Sequence, residues 1–199
     1  EETPSLWYRK SGKIIKNQLA PLEKDLDQFP HPDKDLFYSQ YPIFLIFMHY
    51  TAIGSRGCPY ACTYCANNVY QNLYTGQRRL RYRSAENYIN EIEEAKNKYH
   101  FSRVDFVDDV LAIDFERLKK LMHLYKKKVG LPFDCYFNPQ LVDEKIIKVL
   151  KNGGCDWLKL GIQSANEEYR HKYLNRHETN KNVIELSKLC KKYNLKFFR

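Results

Sequence analysis

The chain has no long apolar run and no targeting pattern at its N-terminus. Its longest apolar run, residues 43–48, is far short of the roughly 20 residues that a membrane-spanning helix needs. The first residues lack the basic stretch followed by an apolar stretch that marks a secretory signal. We therefore expect a cytoplasmic protein with no membrane span.

The composition also lacks the bias of a disordered chain. Hydrophobic residues make up 43% and aromatic residues 15% of the 199 residues, enough to bury the core of one ordinary domain. A chain of this size does not need a disulfide framework, and its six cysteines are clustered. Metal or redox chemistry is therefore the favoured interpretation of the cysteines.

The net charge of +9 is compatible with an anionic partner. Most lysines, however, are spread along predicted helices, as on solvated helix faces. One dense patch has the composition of a phosphate- and base-binding surface, and it consists of Arg78, Arg79, Arg81 and Arg83 with Tyr82. Because the rest of the charge is dispersed, we do not expect a nucleic-acid partner.

The hydrophobic pattern changes near residue 42. Residues 1–41 lack periodicity and contain four prolines, which predicts an irregular lead-in or linker. Residues 42–199 alternate short apolar runs with amphipathic helical stretches, the pattern of strand–helix–strand units with parallel strands. The predicted strands are 43–53, 104–107, 133–137, 157–162 and 195–198, and the predicted helices begin at Ser84, Asp114, Asp143 and about Asn180. The expected fold class is α/β, a partial (β/α) barrel with outer helices that stops near the fifth strand.

Polar residues follow the predicted strands, at the edge where (β/α) barrels carry their functional groups. A cysteine loop follows the first strand, Asp108 and Asp109 the second, Asn138 the third, and Gln163 and Ser164 the fourth. We therefore expect these groups to converge on one rim.

Three cysteines fall elsewhere in the pattern. Cys135 lies inside the third predicted strand, Cys155 precedes the fourth at the opposite rim, and Cys190 lies in a helix. We expect them to be buried thiols that behave as small hydrophobic side chains.

The cysteine loop contains Cys58, Cys62 and Cys65 at positions i, i+4 and i+7. Three thiolates at this spacing can wrap one small iron–sulfur cluster and leave one iron without a protein ligand. A structural zinc site takes four protein ligands, and the loop has no fourth cysteine or histidine, the nearest being His49 upstream.

This loop resembles the radical S-adenosylmethionine (SAM) superfamily, whose Cys-x3-Cys-x2-Cys motif follows the first barrel strand, often with an aromatic residue where Tyr64 stands. The resemblance implies that the three cysteines hold a 4Fe-4S cluster whose open iron chelates the amino and carboxylate groups of SAM. One electron from the reduced cluster would then cleave SAM to methionine and a 5′-deoxyadenosyl radical. An electron donor such as flavodoxin or ferredoxin is implied as well.

The resemblance extends from about residue 21 to the end of the chain and implies further SAM contacts. Asp108 and Asp109 stand where the superfamily often has a Gly-Gly-Glu turn; either could bind the SAM ammonium, or merely cap the next turn. Residues 161–167 look like the family's Gly-Ile-Glu/Gln-Ser-Gly-Ser-Glu segment. Arg170 and Arg176 match basic positions there, and Arg170 is the better candidate for the SAM carboxylate. The implied cofactor contacts are Tyr64, Asp108, Asp109, Asn138, Gln163, Ser164 and Arg170.

Residues 26–33 look like the linker between a cobalamin-binding domain and the barrel in cobalamin-dependent radical SAM proteins, and residues 83–84 and 90–92 also suit that subgroup. The resemblance then implies a catalytic portion with a cobalamin domain upstream, possible use of cobalamin, and a methyltransferase or cyclase that acts on a small molecule or peptide. Two alternatives stay open: a tRNA methylthiotransferase-like radical SAM enzyme, suggested by the arginine patch, and a non-catalytic metal- or nucleic-acid-binding module.

Overall fold

The computed structural model of the chain describes residues 2–41 and 49–198. The strands are β1 (Trp7–Lys10), β2 (Lys13–Lys16), β3 (Tyr50–Ala52), β4 (Ser55–Arg56), β5 (Arg81–Tyr82), β6 (Val104–Phe106), β7 (Phe133–Phe137), β8 (Cys155–Leu160) and β9 (Lys196–Phe198). The α-helices are α1 (Asp35–Tyr38), α2 (Ala66–Leu73), α3 (Ala85–Tyr99), α4 (Phe115–Lys128), α5 (Glu144–Gly153), α6 (Glu167–Leu174) and α7 (Asn180–Lys192). Short 3-10 helices cover Leu26–Gln28 and Pro139–Leu141.

The central sheet has five strands in the order β3-β6-β7-β8-β9, and every pairing is parallel. Helices connect each strand to the next, so chain order and sheet order agree and all the carboxyl ends meet at one edge. The predicted α/β fold with parallel strands and outer helices is confirmed. Over the described residues the sheet is open, with β3 and β9 at its edges.

The predicted strands lie within two residues of the observed ones wherever the chain is described. Residues 42–48 of the predicted first strand lie outside the described residues, and its described part contributes β3. The fourth strand was predicted to begin at residue 157, which is wrong by two residues. Because β8 begins at Cys155, that thiol is part of the strand and does not precede it.

The predicted helix starts are confirmed by their capping contacts. The side chains of Ser84, Asp114 and Asp143 each accept a hydrogen bond from a backbone N–H in the first turn of their helix. Such a bond satisfies a donor that the helix itself leaves free. α5 ends at Gly154, whose φ of 110° suits glycine.

The core lies between the outer helices and one face of the sheet. Strand residues at alternate positions, such as Val104 and Phe106, pack against the apolar faces of α3, α4 and α5. This burial supplies most of the driving force for folding. The prediction of three buried thiols is confirmed: Cys135, Cys155 and Cys190 are buried and form no disulfide.

The lead-in is more regular than the sequence analysis predicted. β1 and β2 form an antiparallel hairpin, joined by Ser11 and Gly12, which both have positive φ. Nearly all of its side chains are exposed, so the sequence carries no alternating apolar signal that would reveal strands. A domain division near residue 41 stays a prediction. Among the described helices, none is long and apolar enough to span a membrane.

Candidate functional site

The cysteine loop connects the short strand β4 to helix α2 at the carboxyl edge of the sheet. The Gln71 side chain donates to the carbonyl oxygens of Cys58 (3.1 Å) and Tyr60 (2.7 Å), which ties the loop to α2. The Asn175 side chain donates to the carbonyl of Ala61 at 2.8 Å. These contacts fix the loop from both sides before any metal binds.

The loop begins at Gly57, which lies against the backbone of Arg79, two residues before β5. Gly57 has a φ of +85°, and a Cβ atom there would lie 2.4 Å from the carbonyl oxygen of Arg79. Only glycine tolerates both conditions, because any other residue is destabilised by the positive φ and by the overlap.

We expect Gly57→Ala to displace the cysteine loop. Left-handed strain costs about 1–2 kcal/mol, and the overlap with Arg79 adds about 1–3 kcal/mol. The matched control is Gly76→Ala, because Gly76 also has a φ of +79° but a Cβ atom there would have no described neighbour within 4 Å. Thermal unfolding and iron content after reconstitution should both fall further for Gly57→Ala. Equal losses in the two variants would contradict this close contact.

The thiols of Cys58, Cys62 and Cys65 line one cavity of about 180 Å³. All three residues are half-buried and none is in a disulfide. Within the described residues, no three cysteine, histidine or acidic side chains already form a metal-binding arrangement. The set of donors nevertheless fits an iron–sulfur cluster, because three thiols face the same space and no histidine lines it.

Burial is the main influence on the pKa of two of these thiols, Cys58 and Cys62. It raises the pKa of Cys58 to about 11, and it also raises the pKa of Cys62, where nearby Arg176 opposes the effect. Thiolates, not thiols, are metal ligands, so binding a metal must release protons from this cavity. His49 lies elsewhere, 3.3 Å from Asp134, and supplies no fourth ligand to the loop.

The two carboxylates after β6 occupy different environments. Asp108 is fully buried and accepts hydrogen bonds from the Gly54 backbone (3.1 Å) and the hydroxyl groups of Ser55 (2.5 Å) and Tyr88 (2.7 Å). Burial and this carboxylate raise the pKa of Tyr88 well above its ordinary value. Asp109 is exposed, lines the cysteine cavity and accepts a hydrogen bond from Asn67 at 3.0 Å.

Asp109 is therefore the carboxylate that lines the cavity, and Asp108 joins β4 to α3. The expectation that Asp108 binds a cofactor is not supported by this placement, because its carboxylate already has three protein donors. The role of Asp109 as a SAM contact stays a prediction.

The two arginines after β8 also differ. Arg170 is fully buried and donates to the carbonyl of Glu178 (3.1 Å) and the side chain of Asn180 (2.7 Å). Arg176 lines the cysteine cavity, donating to the carbonyl of Gly161 at 2.6 Å. The Arg170 guanidinium thus holds the segment after β8 together, whereas Arg176 lines the cavity and is ion-paired with Glu178 at 2.7 Å. The role of Arg170 as a SAM contact stays a prediction, and this placement does not favour it.

The remaining predicted site residues are divided between the cavity and its surroundings. Tyr64 lines it and accepts a hydrogen bond from Arg176 at 2.9 Å. Asn138 lines it too, while its side chain caps the following 3-10 helix. Gln163 is exposed with a φ of 66°, and the Ser164 hydroxyl accepts from the backbone of Asn166; neither is among the residues that line the cavity.

Sequence reasoning missed the polar face of the sheet. Tyr136 and Lys159 stand opposite each other on β7 and β8 and line the cavity, and Lys159 donates to Asp105 of β6 at 2.6 Å. Their neighbours along each strand are apolar and buried. Alternation with a period of two was therefore a usable signal for this inward-facing polar surface.

The arginine patch is not a continuous surface. Arg83 is buried and ion-paired with Glu91, and the Tyr82 ring lies 4.4 Å from the guanidinium of Arg117. The interpretation of residues 78–83 as one phosphate- and base-binding stripe is therefore wrong for Tyr82 and Arg83, because both are engaged within the fold.

The carboxyl edge of this parallel sheet presents three thiols and several polar groups to one cavity. This arrangement is typical of a metal-dependent enzyme of the (β/α)-barrel class. The sequence profile of the Radical SAM superfamily matches residues 53–198. The chain belongs to the Radical SAM superfamily, whose cofactors are a 4Fe-4S cluster and SAM.

Two curated relatives are methyltransferases by name. An uncharacterised methyltransferase of Pyrococcus horikoshii is 26% identical over 96% of this chain, which spans 40% of that relative. The cytidylyl-2-hydroxyethylphosphonate methyltransferase of Streptomyces wedmorensis is 26% identical over 56% of this chain and 20% of its own length. The chain therefore spans well under half of the curated relatives that it matches.

Solved structures share the fold. The match to the cobalamin-dependent SAM radical enzyme OxsB covers 98% of this chain and 29% of the OxsB chain, with a TM-score of 0.76 and 17% identity. The radical SAM methyltransferase TsrM from Kitasatospora setae, solved with cobalamin and a [4Fe-4S] cluster, matches 79% of this chain and 31% of its own, with a TM-score of 0.64 and 16% identity. At these identities the likeness concerns the fold.

Proposed function

We propose that this chain is the radical SAM core of a larger methyltransferase. The observation that carries the proposal is the shared cavity, in which Cys58, Cys62 and Cys65 meet polar side chains from the carboxyl ends of three other strands. In a parallel α/β fold this edge is where catalytic groups assemble.

The three cysteines would hold the cluster, which when bound supplies the electron that cleaves SAM. Asp109 would accept hydrogen bonds from the SAM ammonium, because it is the exposed carboxylate on the cavity wall. Arg176 is ion-paired with Glu178 at 2.7 Å and donates to Tyr64, and its remaining N–H groups would bind the SAM carboxylate. Asn138 and Lys159 complete the polar lining.

Methyl transfer is favoured over cyclisation by the names of both curated relatives. Cobalamin use is favoured by the fold similarity to OxsB and TsrM and by the likeness of residues 26–33 to the linker that follows a cobalamin-binding domain. In that segment Leu26 is buried, and Asp27 accepts a hydrogen bond from the backbone of Ser84 at 2.9 Å. A cobalamin-binding domain upstream, a low-potential electron donor, and a small-molecule or peptide substrate are then the expected partners.

The test is anaerobic reconstitution of the full-length protein, followed by addition of dithionite and SAM. We expect about four irons and four sulfides per chain, and formation of 5′-deoxyadenosine from SAM. Cobalamin bound to the purified protein should be visible by its absorption spectrum. Tight binding of zinc with no iron–sulfur absorption would contradict the radical SAM assignment, and a cobalamin-free protein that methylates its substrate would contradict the cobalamin part alone.

A further inference from the structure

A second, larger cavity of about 450 Å³ adjoins the cysteine cavity and shares Cys58, Asn67 and Asp109 with it. Its lining includes Tyr70 of α2, Tyr74 just after that helix, Arg56 of β4 and Arg81 of β5. A volume of several hundred Å³ is typical of sites for small molecules. None of the SAM contacts proposed above except Asp109 lies on it.

Three arginines concentrate positive charge on this second cavity. Arg56, Arg79 and Arg81 line it, against the single carboxylate of Asp109. Within the described residues, none of the three guanidinium groups forms an ion pair with a carboxylate within 4.0 Å, although the Glu23 carboxylate lies near Arg81. Three arginines against one lining carboxylate leave a net positive charge in this concave site, which favours an anionic ligand.

Two of the three arginines are held in place by contacts with backbone carbonyl groups that leave some of their donors free. Arg56 donates one nitrogen to the carbonyl of Ser55 at 2.8 Å, and Arg81 donates one to the carbonyl of Glu23 at 2.5 Å. The Nε of Arg81 is buried without a hydrogen-bond partner. A buried donor without an acceptor is costly, and a bound anion would remove that cost.

The cavity also has an aromatic lining. Tyr70 lies on α2, and Tyr74 follows the last residue of that helix and donates its backbone N–H to the Tyr70 carbonyl; both residues line the cavity. The Tyr70 side chain is 59% exposed, with its ring open to contact. Flat ligand rings stack on such side chains, and the guanidinium groups of the arginines would donate hydrogen bonds to the phosphate of the same ligand.

We propose that this second cavity binds a phosphate-bearing ligand with a flat ring, the chemistry of a nucleotide, and holds it beside the cysteine loop. If the proposed function is correct, this ligand is the substrate or a group covalently attached to the substrate. Its binding, however, requires only the arginines and tyrosines, so it can be measured without SAM cleavage.

The test is calorimetric titration of the full-length, reconstituted protein with uridine 5′-monophosphate, inorganic phosphate and uridine, with S-adenosylhomocysteine present to fill the SAM site. We expect the nucleotide to bind most tightly, phosphate more weakly, and uridine weakest. Equal affinity for the nucleotide and phosphate would overturn the aromatic part of the proposal, and no binding by either would overturn all of it.

Matched variants locate the ligand. Arg79→Gln should weaken nucleotide binding at least about tenfold, as expected for loss of a charge-assisted hydrogen bond. Arg78→Gln removes the same charge from the adjacent residue, which does not line the cavity, and should change the affinity less than about twofold. Equal losses of nucleotide affinity in the two variants would indicate that the general positive charge of this surface attracts the nucleotide, and would overturn the proposed site. Formation of 5′-deoxyadenosine, assayed separately without nucleotide, tests the proposed function independently of this result.

Discussion

Alanine at Cys58, Cys62 or Cys65 is expected to abolish cluster binding and SAM cleavage. Each substitution leaves two thiols in the cysteine cavity, too few to hold a cluster that already leaves one iron without a protein ligand. We expect iron and sulfide contents near zero after reconstitution, and a loss of 5′-deoxyadenosine formation of at least about a hundredfold. Iron assays, absorption spectra and product analysis of the full-length protein check this.

The chain supplies its own controls for this prediction. Cys135 and Cys190 are buried within the hydrophobic core, away from the cavity. Their replacement by alanine should lower the free energy of unfolding by about 1 kcal/mol and leave the iron content unchanged. A cluster lost in Cys190→Ala, or retained in Cys62→Ala, would contradict the proposed set of ligands.

Alanine at Asp108 is expected to destabilise the fold, whereas alanine at Asp109 is expected to weaken SAM binding. The first change leaves three buried donors, on Gly54, Ser55 and Tyr88, without their acceptor. Each unsatisfied donor costs about 1–3 kcal/mol, so we expect a loss of about 3 kcal/mol or more. For a domain of this size the melting temperature should fall by roughly 6–12 °C.

Asp109→Ala is the matched comparison, because it removes the same group one residue further along the chain. Asp109 is exposed, so stability should change by less than about 0.5 kcal/mol. The affinity for SAM, measured by equilibrium dialysis with the reconstituted protein, should fall at least about tenfold. Normal SAM affinity in Asp109→Ala, or normal stability in Asp108→Ala, would contradict the division of roles between the two carboxylates.

The contrast between these carboxylates shows where sequence reasoning ends. Their positions after a strand predicted that both would lie at the carboxyl edge of the sheet, and they do. Which of them faces the cavity depends on Tyr88 and Ser55, and the hydrogen bond from Ser55 joins residues 53 positions apart. The same holds for the two arginines, because Arg170 is engaged by Glu178 and Asn180, whereas Arg176 reaches Tyr64, 112 positions away.

The sequence by itself determined the cysteine motif, the parallel α/β class and the capped helix starts. These depend on residue spacing, apolar periodicity and hydrogen bonds within one helical turn, all of which are local along the chain. The tertiary structure decided which polar groups share a cavity, and it assembled Arg56, Arg79 and Arg81 opposite Tyr70 and Tyr74. Local periodicity predicts which face of a strand or helix is buried, whereas the contacts that join groups from different elements in one cavity depend on segments distant in sequence.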